Sequence, residues 1–150
     1  MLNRDYRDIL STFIEENVDY LIVGAYALAS HGLPRATGDL DLWVRRDANN
    51  ARRVWRALAK FGAPLSDLKE TDLSTPGLVF QIGVEPSRID IITSIDGVEF
   101  DQAWNDRLDV NVEGLAIHVI GRAHLIANKK AVGRPQDLAD VARLESLDDT

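Results

Sequence analysis

The tightest constraint on this chain lies between residues 19 and 44. There two short apolar runs, "DYLIVG" and "DLDLWV", bracket a glycine, a small-residue segment and a loop. Each run is too short for a buried helix and is bounded by turn residues, so each reads as a strand. The first ends on Gly24 and passes into "AYALASH", a short helix over 25–31, after which "GLPRATG" is a loop. Side chains alternate along a strand, so Asp39 and Asp41 share one face while Leu40, Leu42 and Val44 take the other. Like charges this close raise one another's pKa unless a cation lies between them. Magnesium suits such a pair, because it takes carboxylate oxygens and completes its shell from water and substrate phosphates. An edge strand carrying two hydrated acids is the competing reading.

The remaining pattern surrounds these strands with helices and hairpins. Tyr6, Ile9, Leu10, Phe13 and Ile14 recur at helical spacing over residues 3–16. A second amphipathic helix is expected from Ala48 to about Phe61, stopped by Gly62. "LVFQIGV" and "RIDIIT" read as a hairpin around "EPS", and "LDVNV" and "LAIHVI" as another around "EG". The stretch holding Trp104 reads as irregular. From Arg122 two helical segments follow, separated by "GRPQD". The expected fold is α+β, a mixed sheet with helices packed on it, in one domain spanning 1–150 and closed by C-terminal helices over 122–144.

Bulk properties exclude some classes. No apolar run reaches the roughly 20 residues that cross a bilayer, and "MLNRDYRDIL" resembles neither a signal nor a transit peptide. With no cysteine, disulfides and thiolate metal sites are ruled out, and a cytoplasmic setting is expected. A net charge of −7 argues against broad nucleic-acid binding, although Arg45, Arg46, Arg52, Arg53, Arg56 and Lys60 form a local basic run.

A third acid, Asp90, stands among Ile89, Ile91 and Ile92 in a strand pattern, where a lone charge is costly unless paired or metal-bound. It either joins Asp39 and Asp41 or pairs with Arg88, which shares its strand face. The turn at Gly24, followed by the small Ala25 and Ala27, offers backbone N–H groups to a phosphate, or is an ordinary tight turn.

Residues 20–44 together with "NKKAVGRPQDLADVARL" (128–144) resemble the nucleotidyltransferase superfamily. The resemblance is to its small prokaryotic branch, which includes minimal nucleotidyltransferases and the toxins of toxin–antitoxin pairs. It implies a nucleotidyltransferase-like (polymerase β-like) fold. It further implies that Asp39, Asp41 and Asp90 are catalytic and hold two Mg2+ ions, with Mn2+ as a substitute. Gly24, Ala25, Arg35 and Lys129 would meet the nucleoside triphosphate. Asp90 would help deprotonate an acceptor hydroxyl, on RNA, tRNA or protein, as pyrophosphate leaves. Ala25 departs from the glycine or serine that the resemblance leads one to expect. That departure raises the alternative of a nucleotide- or partner-binding module with weak or no catalysis, beside a toxin with a cognate antitoxin.

Other residues carry two readings each. Lys129 reads as a phosphate ligand or a solvated helix lysine, Arg35 as a phosphate-steering or a solvated loop residue. Arg134 and Asp137 flank Pro135 as substrate contacts or as a turn and helix cap. Asp140 belongs to the same helix surface. Arg52, Arg56 and Lys60 form an RNA footprint or a solvated stripe. His31, His118 and His124 lack metal-ligand spacing, His31 reading as a cap or core residue. Trp43 either stacks on a base or packs in the core.

Overall fold

A computed structural model describes residues 2–35, 38–84 and 86–147. In chain order the elements are α1 (Arg4–Glu15), β1 (Tyr20–Val23), α2 (Ala25–Ser30), β2 (Leu40–Val44) and α3 (Ala48–Phe61). A 3-10 turn (Glu70–Ser74) precedes β3 (Val79–Ile82), β4 (Ile89–Ile92), α4 (Phe100–Asn105), β5 (Leu108–Val112) and β6 (Leu115–Val119). The helices α5 (Arg122–Val132) and α6 (Pro135–Leu147) complete the chain. The six strands form one mixed sheet in the order β3-β4-β2-β1-β6-β5. Two antiparallel hairpins, β3–β4 and β5–β6, flank the antiparallel pair β1–β2 and join it through parallel pairings of β4 with β2 and of β6 with β1.

Local signals set the helix ends. The Asn3 side chain accepts the Tyr6 N–H at 2.9 Å and starts α1, and Asp47 accepts the Asn50 N–H at 2.7 Å and starts α3. Gly62, at φ +92°, ends α3 in the left-handed conformation that a side chain resists. Asn50 is buried, and its amide is satisfied from three sides. It accepts from the Asp19 N–H at 2.8 Å and donates to the Asp19 and Arg45 carbonyls at 3.0 and 2.9 Å. One side chain thereby ties the start of β1 to the end of β2.

The alternation in β2 divides the core. Tyr20 pairs with Val44 and Ile22 with Leu42, and Tyr20 meets Phe13 of α1 edge-on, so this face lies under α1 and, beside it, α3. Leu40, Leu42 and Val44 are fully buried there, each side chain worth about 1.5–3 kcal/mol of burial. The other face carries Asp41 and Trp43, and Trp43 packs edge-on against Phe100 of α4, ring centroids 5.0 Å apart.

Four features depart from the sequence reading. The stretch around Trp104 is the helix α4, too short for its period to show in sequence. The turn at 70–74 was not foreseen, and Pro135 opens α6 rather than lying in a separator, because proline's fixed φ suits a first helical position. The closing helices run to Leu147 rather than 144. Ala36 and Thr37 of the loop before β2, and Glu85 of the "EPS" turn, lie outside the described residues. Among those described, no helix is long and apolar enough to cross a membrane.

Candidate active site

The site is built where β1 ends and β2 begins. Asp41 of β2 is registered between Val23 of β1 and Asp90 of β4, and Asp90 in turn opposes Gln81 of β3. One row across four strands therefore carries two carboxylates side by side. Gly24, between β1 and α2, has φ +72°, and a Cβ placed on it would lie 2.3 Å from Asp41 Oδ2. Glycine is demanded there twice, once by the backbone and once by the carboxylate that fills the missing side chain's space.

Asp39 sits one residue before β2, on the face of Asp41. The Arg88 guanidinium reaches both outer acids: Nη2 donates to Asp39 Oδ2 at 2.5 Å, while Nε donates to Asp90 Oδ1 at 3.1 Å. Asp39 Oδ1 is buried without a hydrogen-bond partner. Burial pushes Asp41 up to about 7, and the charges of Asp90 and Asp39 push the same way against a weaker opposing pull from Arg88. Asp41 is also within hydrogen-bonding reach of Asp90. The cluster thus holds more negative charge than its guanidinium neutralises. Among the described residues no three acidic or histidine side chains already stand at metal-holding spacing.

The backbone beneath is pinned by Tyr6, whose hydroxyl lies 3.3, 3.3 and 3.1 Å from the carbonyls of Gly38, Pro86 and Arg88. A hydroxyl has one proton to donate, so it bridges the two loops that lead into β2 and β4. Its pKa is pushed up to about 12, by burial first and then by Tyr26 and Asp39. The sequence offers the Arg88–Asp90 pair as one of two readings of Asp90, and it gives no sign of the Arg88–Asp39 contact or of the role of Tyr6. Nothing in an amphipathic stripe distinguishes a tyrosine that clamps loops from one that only fills the core.

Arg35 and Lys129 fall in a second group. Arg35 pairs with Asp140, and the Lys129 ammonium lies 3.0 Å from Asp140 Oδ2 and 3.4 Å from Asp137 Oδ1. Arg134 Nε donates to Asp137 Oδ2 at 2.7 Å, and the Arg134 N–H reaches the same oxygen at 3.3 Å, so Asp137 caps the start of α6. Asp137 and Asp140 are almost fully buried. Arg35 precedes Asp39 by only four residues, so the two Cα atoms are at most about 14 Å apart.

The other candidates divide plainly. Ala25 opens α2 beside Gly24, its Cβ close to Gly38. Trp43 is buried, which removes it as a base-stacking platform. Lys60 lies 2.5 Å from Glu16 and 3.7 Å from Glu15 at the C-terminal end of α1, while Tyr6 at the other end faces the carboxylates. The Arg52–Arg56–Lys60 stripe is therefore partly neutralised at its lysine. His31 Nε2–H donates to the Ile120 carbonyl at 2.7 Å, and the rings of His118 and His124 pair with Asp109 and Asp106.

The family model described as nucleotidyl transferase of unknown function (DUF2204) matches residues 2–149. The chain belongs to this family. No curated protein matches it. Among solved structures, this nucleotidyl transferase is similar to the Thermotoga maritima protein TM1012, provisionally a nucleotidyltransferase, at 17% identity and TM-score 0.60, covering 99% of this chain and 94% of that one. The lincosamide antibiotic adenylyltransferase LnuA, solved with lincomycin, matches at 17% identity and TM-score 0.59, over 97% of this chain and 98% of its own. ANT(2")-Ia, solved with adenylyl-2"-tobramycin, matches at 16% identity and TM-score 0.58, over 93% and 84%. At these identities the likeness establishes a shared nucleotidyltransferase fold.

Proposed function

We propose that this nucleotidyl transferase moves a nucleoside monophosphate from a triphosphate to an acceptor hydroxyl, releasing pyrophosphate, at Asp39, Asp41 and Asp90. The observation that carries the reading is the convergence of these three carboxylates at the Gly24 turn with one guanidinium to offset them. The donor set fits divalent cations. Its ligands are hard carboxylate oxygens, Asp39 Oδ1 is orphaned, and Asp41 is pushed up by burial first and then by its acidic neighbours. Asp39, Asp41 and Asp90 would hold Mg2+, or Mn2+ in its place. Ions so bound supply Lewis-acid neutralisation of the attacked phosphate and its leaving group.

The chain's own groups account for the rest. Asp90 would take the proton of the acceptor hydroxyl, and the Gly24 and Ala25 N–H groups would bind phosphate oxygens. Arg35 and Lys129 would reach the outer phosphates by exchanging Asp140 and Asp137 for them. Ala25 has no hydroxyl to add. The mechanism is in-line displacement at the α-phosphorus, and its test is direct. Protein, Mg2+ and each α-labelled triphosphate are incubated with RNA, with the protein itself, or with small polyhydroxylated compounds such as the antibiotics in the two adenylyltransferase structures. Label transferred by wild type and lost in Asp39→Asn and Asp90→Asn supports the reading; equal labelling by all three rejects it.

Ala25 favours a second reading, a module that binds nucleotide without efficient turnover. Calorimetry with Mg2+ and each triphosphate separates the two, since binding without transfer to any acceptor selects the module. Family likeness alone carries the toxin reading with its cognate antitoxin. Growth arrest on expression, relieved by Asp41→Asn, is its signature.

A further inference from the structure

Arg88 is a cation already seated where the proposed ions belong. Its guanidinium spans two of the three carboxylates, touching Asp39 Oδ2 at 2.5 Å and Asp90 Oδ1 and Oδ2 at 3.1 and 3.4 Å. It occupies three of the six carboxylate oxygens on which a divalent ion could draw, leaving Asp39 Oδ1 open. Its backbone cannot follow the side chain, because the Arg88 carbonyl accepts from the Leu40 N–H and from the Tyr6 hydroxyl, both at 3.1 Å. The side chain has an exit of its own. It is 28% exposed, against 16% for Asp39 and 11% for Asp90. Once withdrawn, a guanidinium is the best protein group for chelating phosphate oxygens.

We propose that Arg88 is the resident counter-ion of the carboxylate cluster, and that it makes metal entry depend on the triphosphate. This rests on the transferase reading above. Without nucleotide, Arg88 holds Asp39 and Asp90 and opposes a second cation on the same oxygens. With nucleotide, the polyphosphate takes over the guanidinium and frees the carboxylates for the ions that accompany it. Metal and triphosphate then bind with positive coupling, and by linkage each tightens the other by the same factor. Arg88 is thus a specificity-determining residue: it selects the metal–polyphosphate complex over the bare metal.

The test titrates Mn2+ by electron paramagnetic resonance against wild type, Arg88→Gln and Arg88→Lys, with and without nonhydrolysable α,β-methylene triphosphates. Circular dichroism confirms the fold of each. Wild type alone should bind Mn2+ weakly and be tightened about tenfold or more by an analogue. Arg88→Gln alone should bind Mn2+ about tenfold tighter than wild type, with little further gain from the analogue. Arg88→Lys, whose single ammonium cannot span two carboxylates, should fall between them and serves if the glutamine variant does not fold. Unchanged or weaker Mn2+ binding in the variants, while wild type still binds Mn2+ with analogue, overturns the counter-ion role and leaves the transferase reading standing. Failure of every protein to bind Mn2+ under any condition overturns both.

Discussion

The carboxylate row at the head of β2 and the ion cluster between α5 and α6 are both groups of charges taken largely out of water, yet their balance is opposite. At the first, three carboxylates share one guanidinium; at the second, two buried carboxylates are met by Arg35, Lys129 and Arg134. Titration follows the balance. Asp41 is pushed up to about 7 by burial and by its acidic neighbours, whereas the Arg134 hydrogen bond holds Asp137 below the usual carboxylate range. The first is left with an excess of negative charge. The second is matched in charge, although Asp140 Oδ2 makes only an ion pair with Lys129 and no hydrogen bond, and Arg35 and Arg143 border an open hollow of about 500 Å³ beside it. Both clusters are buried, so what separates them is charge compensation rather than burial.

The contrast can be broken by substitution. On the transferase reading, Asp90→Asn should cut nucleotidyl transfer by at least ~100-fold, the usual scale for losing a general base, and Asp39→Asn should cut it through lost metal binding, while far-ultraviolet circular dichroism stays unchanged. Stability should then move in opposite directions at the two clusters. Because the folded-state pKa of Asp41 lies above its value of 3.8 in the unfolded chain, the metal-free protein should lose stability as pH rises from about 4 to about 7 and recover none beyond. Asp41→Asn should flatten that profile and raise metal-free stability at pH 7.5 by roughly 2–4 kcal/mol, measured by urea denaturation. Equal pH profiles for the two proteins would erase the distinction.

Gly24→Ala should cost about 2 kcal/mol of stability, since its methyl meets Asp41 Oδ2 and its φ is left-handed. Asp137→Asn should cost a similar or smaller amount, about 1–2 kcal/mol, by weakening the Arg134 contact and the cap of α6. Asp137 has the opposite sign to Asp41: its contribution is present above pH 4 and fades as the pH falls through its depressed pKa. The smallest effect is expected from Ala25→Ser. One added neutral hydrogen bond to phosphate is worth about 1 kcal/mol, near a fivefold gain in triphosphate affinity by calorimetry.

Much of this was legible in the sequence because it is written in local periods. The strand alternation of "DLDLWV" put Asp39 and Asp41 on one face, the helical spacing of Val54, Trp55 and Leu58 predicted α3, and Gly62 marked its end. The helix α4 escaped because six residues do not complete two helical turns. Trp43 could not be resolved between base platform and core until Phe100 was found against it. Arg35 and Lys129 read as solvated or phosphate-binding, and neither reading included the acids they hold.

By itself the sequence determined the type and order of most elements, the face shared by Asp39 and Asp41, and the glycine that turns β1 into α2. Those depend on contacts among residues a few positions apart. Only the tertiary structure decided that β4 lies beside β2 with Asp90 level with Asp41, that Arg88 reaches Asp39 from 49 residues away, and that Arg35 meets Asp140 from 105. Strand register and side-chain ion pairing are set by packing across the whole sheet, and no period within one segment records them.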